Sequence, residues 1–375
     1  MGIVYTHRQE QLTAKYGYLR RRFLTALLLA CIAPLLLGQD TFQGVGRIVA
    51  IGDVHGDYDV FVGLLRSAEL VNSRNQWTGG KTHLVQTGDV LDRGPASRKV
   101  MDLLMQLEPQ ARKAGGAVHA LLGNHEAMNL YGDLRYVSGE EYESYRTADS
   151  AKLRDRYFER LWDQQKRQDP ASDGAAFRDA FYSQHPLGWV EQREAFGPEG
   201  VYGRWLRRHP VIIKINDVLF LHGGISPKYA STSISVFNAT VAGELRDFSK
   251  LANGMAMDPE GPLWYRGLIE LPEPGLAAHV SEILERSGAH HIVIGHTVTS
   301  EVLPRFGGKV IPIDVGLSRV FGGPPALLII EGSNYYVLYR GQRIALPVDG
   351  GGLGAYLDSL KTLDEAARTN STAGR

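Results

Sequence analysis

The sequence predicts an α/β fold. Three features point to it: short apolar runs of strand length, helical segments between the early runs, and a Gly-led polar motif closing several of them. Alternating strand and helix is the pattern of a largely parallel sheet. In such sheets the chemistry sits just beyond the carboxyl ends of strands, which is where these motifs fall.

Arg47-Ile48-Val49-Ala50-Ile51 reads as a buried strand running into Gly52-Asp53-Val54-His55-Gly56-Asp57. A helix is expected over about Val60 to Leu70. His83 to Thr87 is the next strand and ends in Gly88-Asp89-Val90-Leu91-Asp92-Arg93-Gly94. A second helix is expected from Ser97 to Leu107. Ala117 to Leu122 is a third strand, ending in Gly123-Asn124-His125-Glu126. The stretch from about Leu130 to Trp205 is polar and rich in Tyr, Arg, Asp and Glu, and reads as a helical insertion near the site. Val211 to Ile215 and Val218 to Leu221 are strands, and Asn216-Asp217 between them suits a hairpin turn. The second of them ends at His222-Gly223-Gly224. A helix over Ala277 to Ser287 precedes a strand, His291 to Ile294, that ends at Gly295-His296-Thr297. Val310 to Ile313 and Ala326 to Tyr339 read as further strands. Beyond Asp349 the chain is rich in Gly, Ser and Thr and is expected to be a flexible tail.

Lys+Arg and Asp+Glu are equal at 41 each in 375 residues, so the formal net charge is zero. That balance removes any global attraction to nucleic acid, and no nucleic-acid partner is expected. The single cysteine, Cys31, excludes an intrachain disulfide. Arg20, Arg21 and Arg22 precede an uncharged run from Phe23 to Leu37, the layout of a secretory signal peptide or membrane anchor. The run is short for a span and Pro34 interrupts it. Residues 1–38 are therefore expected to direct export to the periplasm or beyond, with an inner-membrane tether if they are retained. Leu28-Leu29-Ala30-Cys31 also resembles a lipoprotein box, but Ile32 to Leu37 stays apolar where a mature lipoprotein turns polar. Residues 39–348 are left as the catalytic domain and 349–375 as the tail.

Asp53 and His55 lie two apart, so one loop can aim both at a cation. Asp89 has two oxygens and can touch two cations. Asn124 adds a neutral carbonyl oxygen, and His222 and His296 add imidazole nitrogens. This mixed oxygen and nitrogen set suits manganese, iron or zinc rather than calcium. Two cations about 3.5–4 Å apart hold an attacking oxygen and phosphoryl oxygens together and lower the pKa of a bound water. Arg93 and Arg266 are fork donors for phosphate. His125 can protonate a leaving oxygen, and Asp92 can orient it and keep it cationic. Singly, each motif is weak, since a strand-end Asp is more often a cap. Their joint, ordered occurrence carries the reading. His83, His119, His290 and His291 lack that context. Asp314 is either a partner of His296 or a cap for Val315-Gly316. The insertion's tyrosines (Tyr131, Tyr136, Tyr142, Tyr145, Tyr157, Tyr182) and Arg135, Arg146 and Arg154 are apt to flank a substrate.

These motifs resemble the phosphoprotein phosphatase branch of the calcineurin-like metallophosphoesterases. The resemblance runs from about Arg47 to Tyr339 and implies a central β-sandwich flanked by helices. It implies that Asp53, His55 and Asp89 hold one metal, and that Asp89, Asn124, His222 and His296 hold the other. It gives Arg93 and Arg266 to phosphate, and His125 with Asp92 to proton transfer. Leu122 stands where the eukaryotic Ser/Thr enzymes have arginine, their C-terminal Ser-Ala-Pro-Asn-Tyr segment has no counterpart, and the gap from His125 to His222 is longer. These departures are similar to the bacterial-type Shewanella-like phosphatases, members of which can favour phosphotyrosine. The expected activity is a phosphomonoesterase on phosphorylated protein or peptide. The alternatives are a symmetrical dinucleoside-polyphosphate hydrolase and a catalytically silent tethered binding module, against which the intact ligand set argues.

Overall fold

The structure, a computed structural model, describes residues 39–373. The expected export segment, with Cys31, lies outside the described residues. Among the described residues no helix is long and apolar enough to cross a membrane.

Eleven strands form two sheets. They are β1 (Thr41–Phe42), β2 (Arg47–Ile51), β3 (His83–Gln86), β4 (Ala117–Ala120), β5 (Ile212–Ile215), β6 (Val218–Leu221), β7 (His291–Ile294), β8 (Val310–Pro312), β9 (Ala326–Glu331), β10 (Asn334–Tyr339) and β11 (Gln342–Ala345). One sheet runs β11-β10-β9-β2-β3-β4 and the other β1-β5-β6-β7-β8. β2, β3 and β4 are parallel, as are β6, β7 and β8. β9 to β11 add an antiparallel meander on the far side of β2. Val49, Leu84, Phe220, Ile292 and Leu328, from both sheets, lie in one hydrophobic core. Apolar runs such as Val218–Leu221, buried at every position, are what a strand covered on both faces requires. β5 and β6 form the expected hairpin, with Asn216 at φ 54° in its turn.

Twelve α-helices are described. α1 (Tyr58–Ser67) and α2 (Ser97–Lys113) cross between the parallel strands β2, β3 and β4. α3 (Asn124–Tyr131) carries the third motif and leads into the insertion, which contains α4 (Gly139–Tyr145), α5 (Ser150–Gln168), α6 (Gly174–Gln184), α7 (Trp189–Phe196) and α8 (Val201–Leu206). α9 (Ile234–Glu244), α10 (Gly267–Glu270) and α11 (Glu273–Ser287) follow. The insertion has its own small aromatic core: Phe181 packs 5.4 Å from Phe158 and 4.3 Å from His185, which packs 4.2 Å from Trp189.

The expected flexible tail is corrected. Leu353–Ala373 is a helix, α12. Its Tyr356 and Leu360, one turn apart, are buried in the main core. The Tyr356 hydroxyl donates to Val302 O (2.8 Å), and Asp364 accepts from Tyr339 Oη (3.0 Å) and Arg340 Nε (2.6 Å). An apolar stripe at helical spacing overrode a composition that read as loose.

Candidate metal centre

The loops leaving β2, β3 and β4 in one sheet meet those leaving β6, β7 and β8 in the other. Val54 N and His55 N donate to Asp89 O (3.0 and 2.9 Å), tying the first two motifs together. Gly88, at φ 100°, lies so close to the third that a Cβ there would stand 2.5 Å from Gly123 N. His55, Asp89, Asp92, Arg93 and His296 are five of the ten non-glycine residues with left-handed φ among the described residues. Such conformations cost about 1–3 kcal/mol each and persist where the surroundings over-determine them.

All six expected metal ligands converge in the buried interior. Their spare hydrogen-bonding atoms are committed in a way that frees the others. Asp53 Oδ1 accepts from His296 N and Asp89 Oδ1 from His125 N, both at 3.0 Å. Their Oδ2 atoms face the imidazoles: Asp53 Oδ2 is 3.9 Å from His55 Nε2, and Asp89 Oδ2 is 3.8 Å from His55 Nε2 and 3.3 Å from His222 Nε2. His55 Nδ1 lies 2.9 Å from Leu91 O, and His222 Nδ1 lies 3.0 Å from Thr87 O. Only an N–H can pair with a carbonyl, so in the neutral His55 ring Nε2 is left with its lone pair toward the site. His296 is turned the other way. Its Nε2 lies 3.0 Å from Trp264 O and its Nδ1 faces the site, 3.1 Å from His222 Nε2. Asn124 Oδ1 is 2.9 Å from the same His222 nitrogen.

Two groups of side chains are arranged to hold an ion, His55-Asp89-His125 and Asp89-His222-His296, with Asp89 common to both. The charges fit cations. Burial, with Asp314 and Asp89 nearby, pushes the Asp53 carboxyl well above the usual range. Asp89 is pulled the other way: burial raises it, but His222 and His125 outweigh that. Carboxylates crowded together without water are relieved by positive charge.

His125 belongs geometrically to the first group, yet its chemistry differs from that of His55. Burial lowers His55 to about 4, so its imidazole is neutral and suited to ligation. Burial also lowers His125, but Asp89 and Asp92 outweigh it and raise the ring above its ordinary value. His125 Nδ1 pairs with Asp92 Oδ2 at 2.6 Å. A protonated imidazole has no lone pair for a metal, which favours the acid role.

The two arginines flank the centre. Arg266 Nη1 donates to His296 O (2.7 Å). The Arg93 guanidinium lies between the Tyr136 and Phe321 rings, 4.7 and 5.1 Å from their centroids, and its Nε has no hydrogen-bond partner. A buried N–H left unpaired is available to an anion. Tyr136 also packs on the His125 ring (5.1 Å) and Phe321 on His55 (5.4 Å).

Glu126 and Asn129 carry no role in the sequence alone. Buried Glu126 accepts from Asp89 N (2.7 Å), Val90 N (3.0 Å) and Gly123 N (2.8 Å), pinning the second motif to the third. Asn129 Nδ2 donates to Asp92 Oδ1 (2.9 Å). Asp314 is a cap: its Oδ1 accepts from Gly316 N (2.9 Å), while the His296 imidazole pairs with Trp264 O instead. Of the insertion's tyrosines, Tyr142 and Tyr145 are buried and Tyr157 packs on Trp189. Tyr182 bonds Asp155. Only Tyr131 and Tyr136 line the cavity beside Arg266. His83 and His119 bond each other (3.0 Å) next to Phe42, away from the centre.

Comparison with known proteins agrees with this geometry. A family model described as calcineurin-like phosphoesterase matches residues 46–300. Shewanella-like protein phosphatase 2 of Arabidopsis thaliana is 29% identical over 299 residues, 75% of this chain and 74% of that one. The crystal structure of a cold-active protein-tyrosine phosphatase from a psychrophilic Shewanella species is 33% identical, covers 82% of each chain and superposes with a TM-score of 0.64. The symmetrical bis(5'-nucleosyl)-tetraphosphatase of Escherichia coli is 40% identical over 76 residues, 20% of this chain and 22% of that one.

Proposed function

Because this chain belongs to the calcineurin-like phosphoesterases, metal-dependent phosphatases with a dinuclear centre, we propose that it removes phosphate from phosphorylated proteins, phosphotyrosine foremost. The observation that carries the substrate class is the cavity beside the centre. It encloses about 650 Å³, and its walls include Tyr131, Tyr136, Trp264, Tyr265 and Arg266. An aromatic leaving group packs well among such rings. The Shewanella relative, a protein-tyrosine phosphatase, points the same way.

Asp53, His55 and Asp89 would hold one cation, and Asp89, Asn124, His222 and His296 the other. Manganese, iron or zinc suits that donor set. Bound there, two cations supply charge neutralisation for phosphoryl oxygens and a water of lowered pKa. The chain's own groups do the rest. Arg93 and Arg266 grip the phosphoryl oxygens in two directions. His125, cationic through Asp92, gives its Nε2 proton to the departing oxygen. Tyr136 and Phe321 stack against the Arg93 guanidinium and limit the directions in which it can point.

The nucleotide reading is weaker, because the tetraphosphatase likeness spans only a fifth of the chain. We further place the enzyme outside the cytoplasm, on the basic cluster and apolar run of residues 20–37. The test is a panel on purified protein from Gln39 onward with manganese: matched phosphotyrosine and phosphoserine peptides against diadenosine tetraphosphate. The phosphotyrosine peptide is expected to turn over fastest. Faster hydrolysis of the dinucleotide overturns the proposal.

A further inference from the structure

The insertion is stitched to the loop bearing Asp92 and Arg93 at successive points. Arg93 N donates to Tyr136 O (2.8 Å). Ser138 Oγ lies 3.4 Å from Gly94 O. Glu141, in the first turn of α4, accepts from Ser97 N (2.9 Å) and Arg98 N (3.1 Å) with its two oxygens. Those amides open α2. That helix has no cap of its own, because its N-cap is Ala96 and no acid stands in its first turn. Glu141 therefore caps it from 44 residues away. Burial pushes the Glu141 carboxyl up to about 8 against the pull of those two amides, so its hold on α2 rests on the two N–H bonds that it accepts at the start of the helix.

The cap reaches the candidate site in one further step. Ser97, whose N–H Glu141 holds, accepts through Oγ from Asp92 N (3.1 Å). Asp92 and Arg93 follow one another in left-handed conformation, φ 68° and 66°. Neither is glycine, so both conformations must be imposed from outside. The groups that impose them are Ser97, Tyr136 O and the insertion behind them.

We propose that Glu141 is a positioning residue for phosphate hydrolysis: by capping α2 from the insertion it holds the Asp92–Arg93 turn in the conformation that aims Arg93 at phosphate and Asp92 at His125. This rests on the reading of Arg93 and Asp92 given above. Without the cap the turn samples conformations in which the guanidinium points elsewhere.

The test is a double-mutant cycle with Glu141→Ala, Arg93→Ala and both, assayed on p-nitrophenyl phosphate and by inhibition with inorganic phosphate. Loss of a cap shifts a local equilibrium by about 5–30-fold. Glu141→Ala should lower kcat/KM and weaken phosphate inhibition by that order, with metal content unchanged. In the Arg93→Ala background the same substitution should change phosphate inhibition less than about twofold. Glu141→Gln, which keeps one acceptor oxygen, should recover part of the activity, and it decides the matter if the alanine variant does not fold. Equal losses of phosphate inhibition in both backgrounds, or normal turnover in a folded Glu141→Ala or Glu141→Gln protein, overturn the positioning role. Full activity of Arg93→Ala alone overturns the underlying site reading instead.

Discussion

His125→Asn is the most informative single change at the centre. His125 Nδ1 sits 2.6 Å from Asp92 Oδ2, and Asn129 Nδ2 holds the other Asp92 oxygen at 2.9 Å. Both partners are buried and fix the ring, while the Asp89 and Asp92 charges outweigh that burial and favour its protonated form, which leaves Nε2–H as a proton for a leaving group. General acid catalysis contributes about 10²–10⁴-fold, or about 2.7–5.4 kcal/mol at 1.36 kcal/mol per tenfold. That full loss is expected for a phosphoserine peptide, whose alkoxide leaves poorly. A phosphotyrosine peptide should lose less, because a phenol's pKa is near 10. p-Nitrophenyl phosphate should lose least. Asp92→Asn should cost less than His125→Asn, and the double variant no more than His125→Asn alone, since the pair acts as one unit. The pH profile gives a second readout. Asp89 and Asp92 hold the ring above its ordinary value against burial, so phosphoserine turnover should fall as pH rises through that elevated pKa. Removing the Asp92 charge should move the fall to lower pH. Steady-state kcat across the three substrates decides it. Equal losses on all three remove His125 from the acid role.

Asp89→Asn should bind less metal and lose nearly all turnover, because the shared carboxylate faces His55, His125 and His222; normal activity at unchanged metal content, by elemental analysis, would refute the dinuclear reading. Tyr356→Ala should destabilise the domain by about 3–5 kcal/mol as a buried aromatic lost, seen as a lower denaturant midpoint; an unchanged midpoint contradicts a packed α12. A reporter fused after Leu37 should cross the bacterial inner membrane, and one retained in the cytoplasm returns residues 20–37 to another role. Replacing residues 130–205 with a short Gly/Ser loop should depress p-nitrophenyl phosphate turnover along with peptide turnover; turnover untouched on the small substrate would show that the insertion only selects.

The parts of this protein legible in its sequence are those where chemistry restricts residue type locally. A strand end that can present Asp, His or Asn to a centre can be read from a few residues, and eight of the expected site residues, Asp53, His55, Asp89, Asp92, Asn124, His125, His222 and His296, are buried, with Arg93 half-buried and Arg266 exposed. Buried strands such as Ile48–Ile51 announce themselves by an unbroken apolar run. What was hidden depends on distance or phase. β1 spans two residues, and β11 (Gln342–Ala345) is a mostly exposed edge with no alternation to detect. α12 was masked by its Gly, Ser and Thr content, although Leu353, Tyr356, Leu360 and Leu363 recur at helical spacing. The tyrosines of the insertion could not be sorted without knowing that it buries its own aromatic core. Glu141 follows Ser138 by three residues and so reads as part of a local cap for α4; nothing local reveals that its carboxyl serves amides 44 and 43 residues away.

That last case bears on how catalysis and selectivity divide in this protein. An insertion that only framed the substrate would touch the metal motifs weakly. Here it grips Asp92 from two sides. One grip runs from Glu141 through Ser97 to Asp92 N. The other runs from Gln192 Nε2 in α7 to Asn129 Oδ1 (2.9 Å), and from Asn129 Nδ2 to Asp92 Oδ1. The same segment lays Tyr136 over Arg93 and His125. The His125–Asp92 pair and Arg93 thus take their geometry from the element that also lines the neighbouring cavity. Sequence change within residues 130–205 that alters which phosphopeptide fits is therefore constrained at Tyr136, Glu141 and Gln192, and free mainly at the exposed positions of α5 and α6, outside the Phe158–Phe181 core.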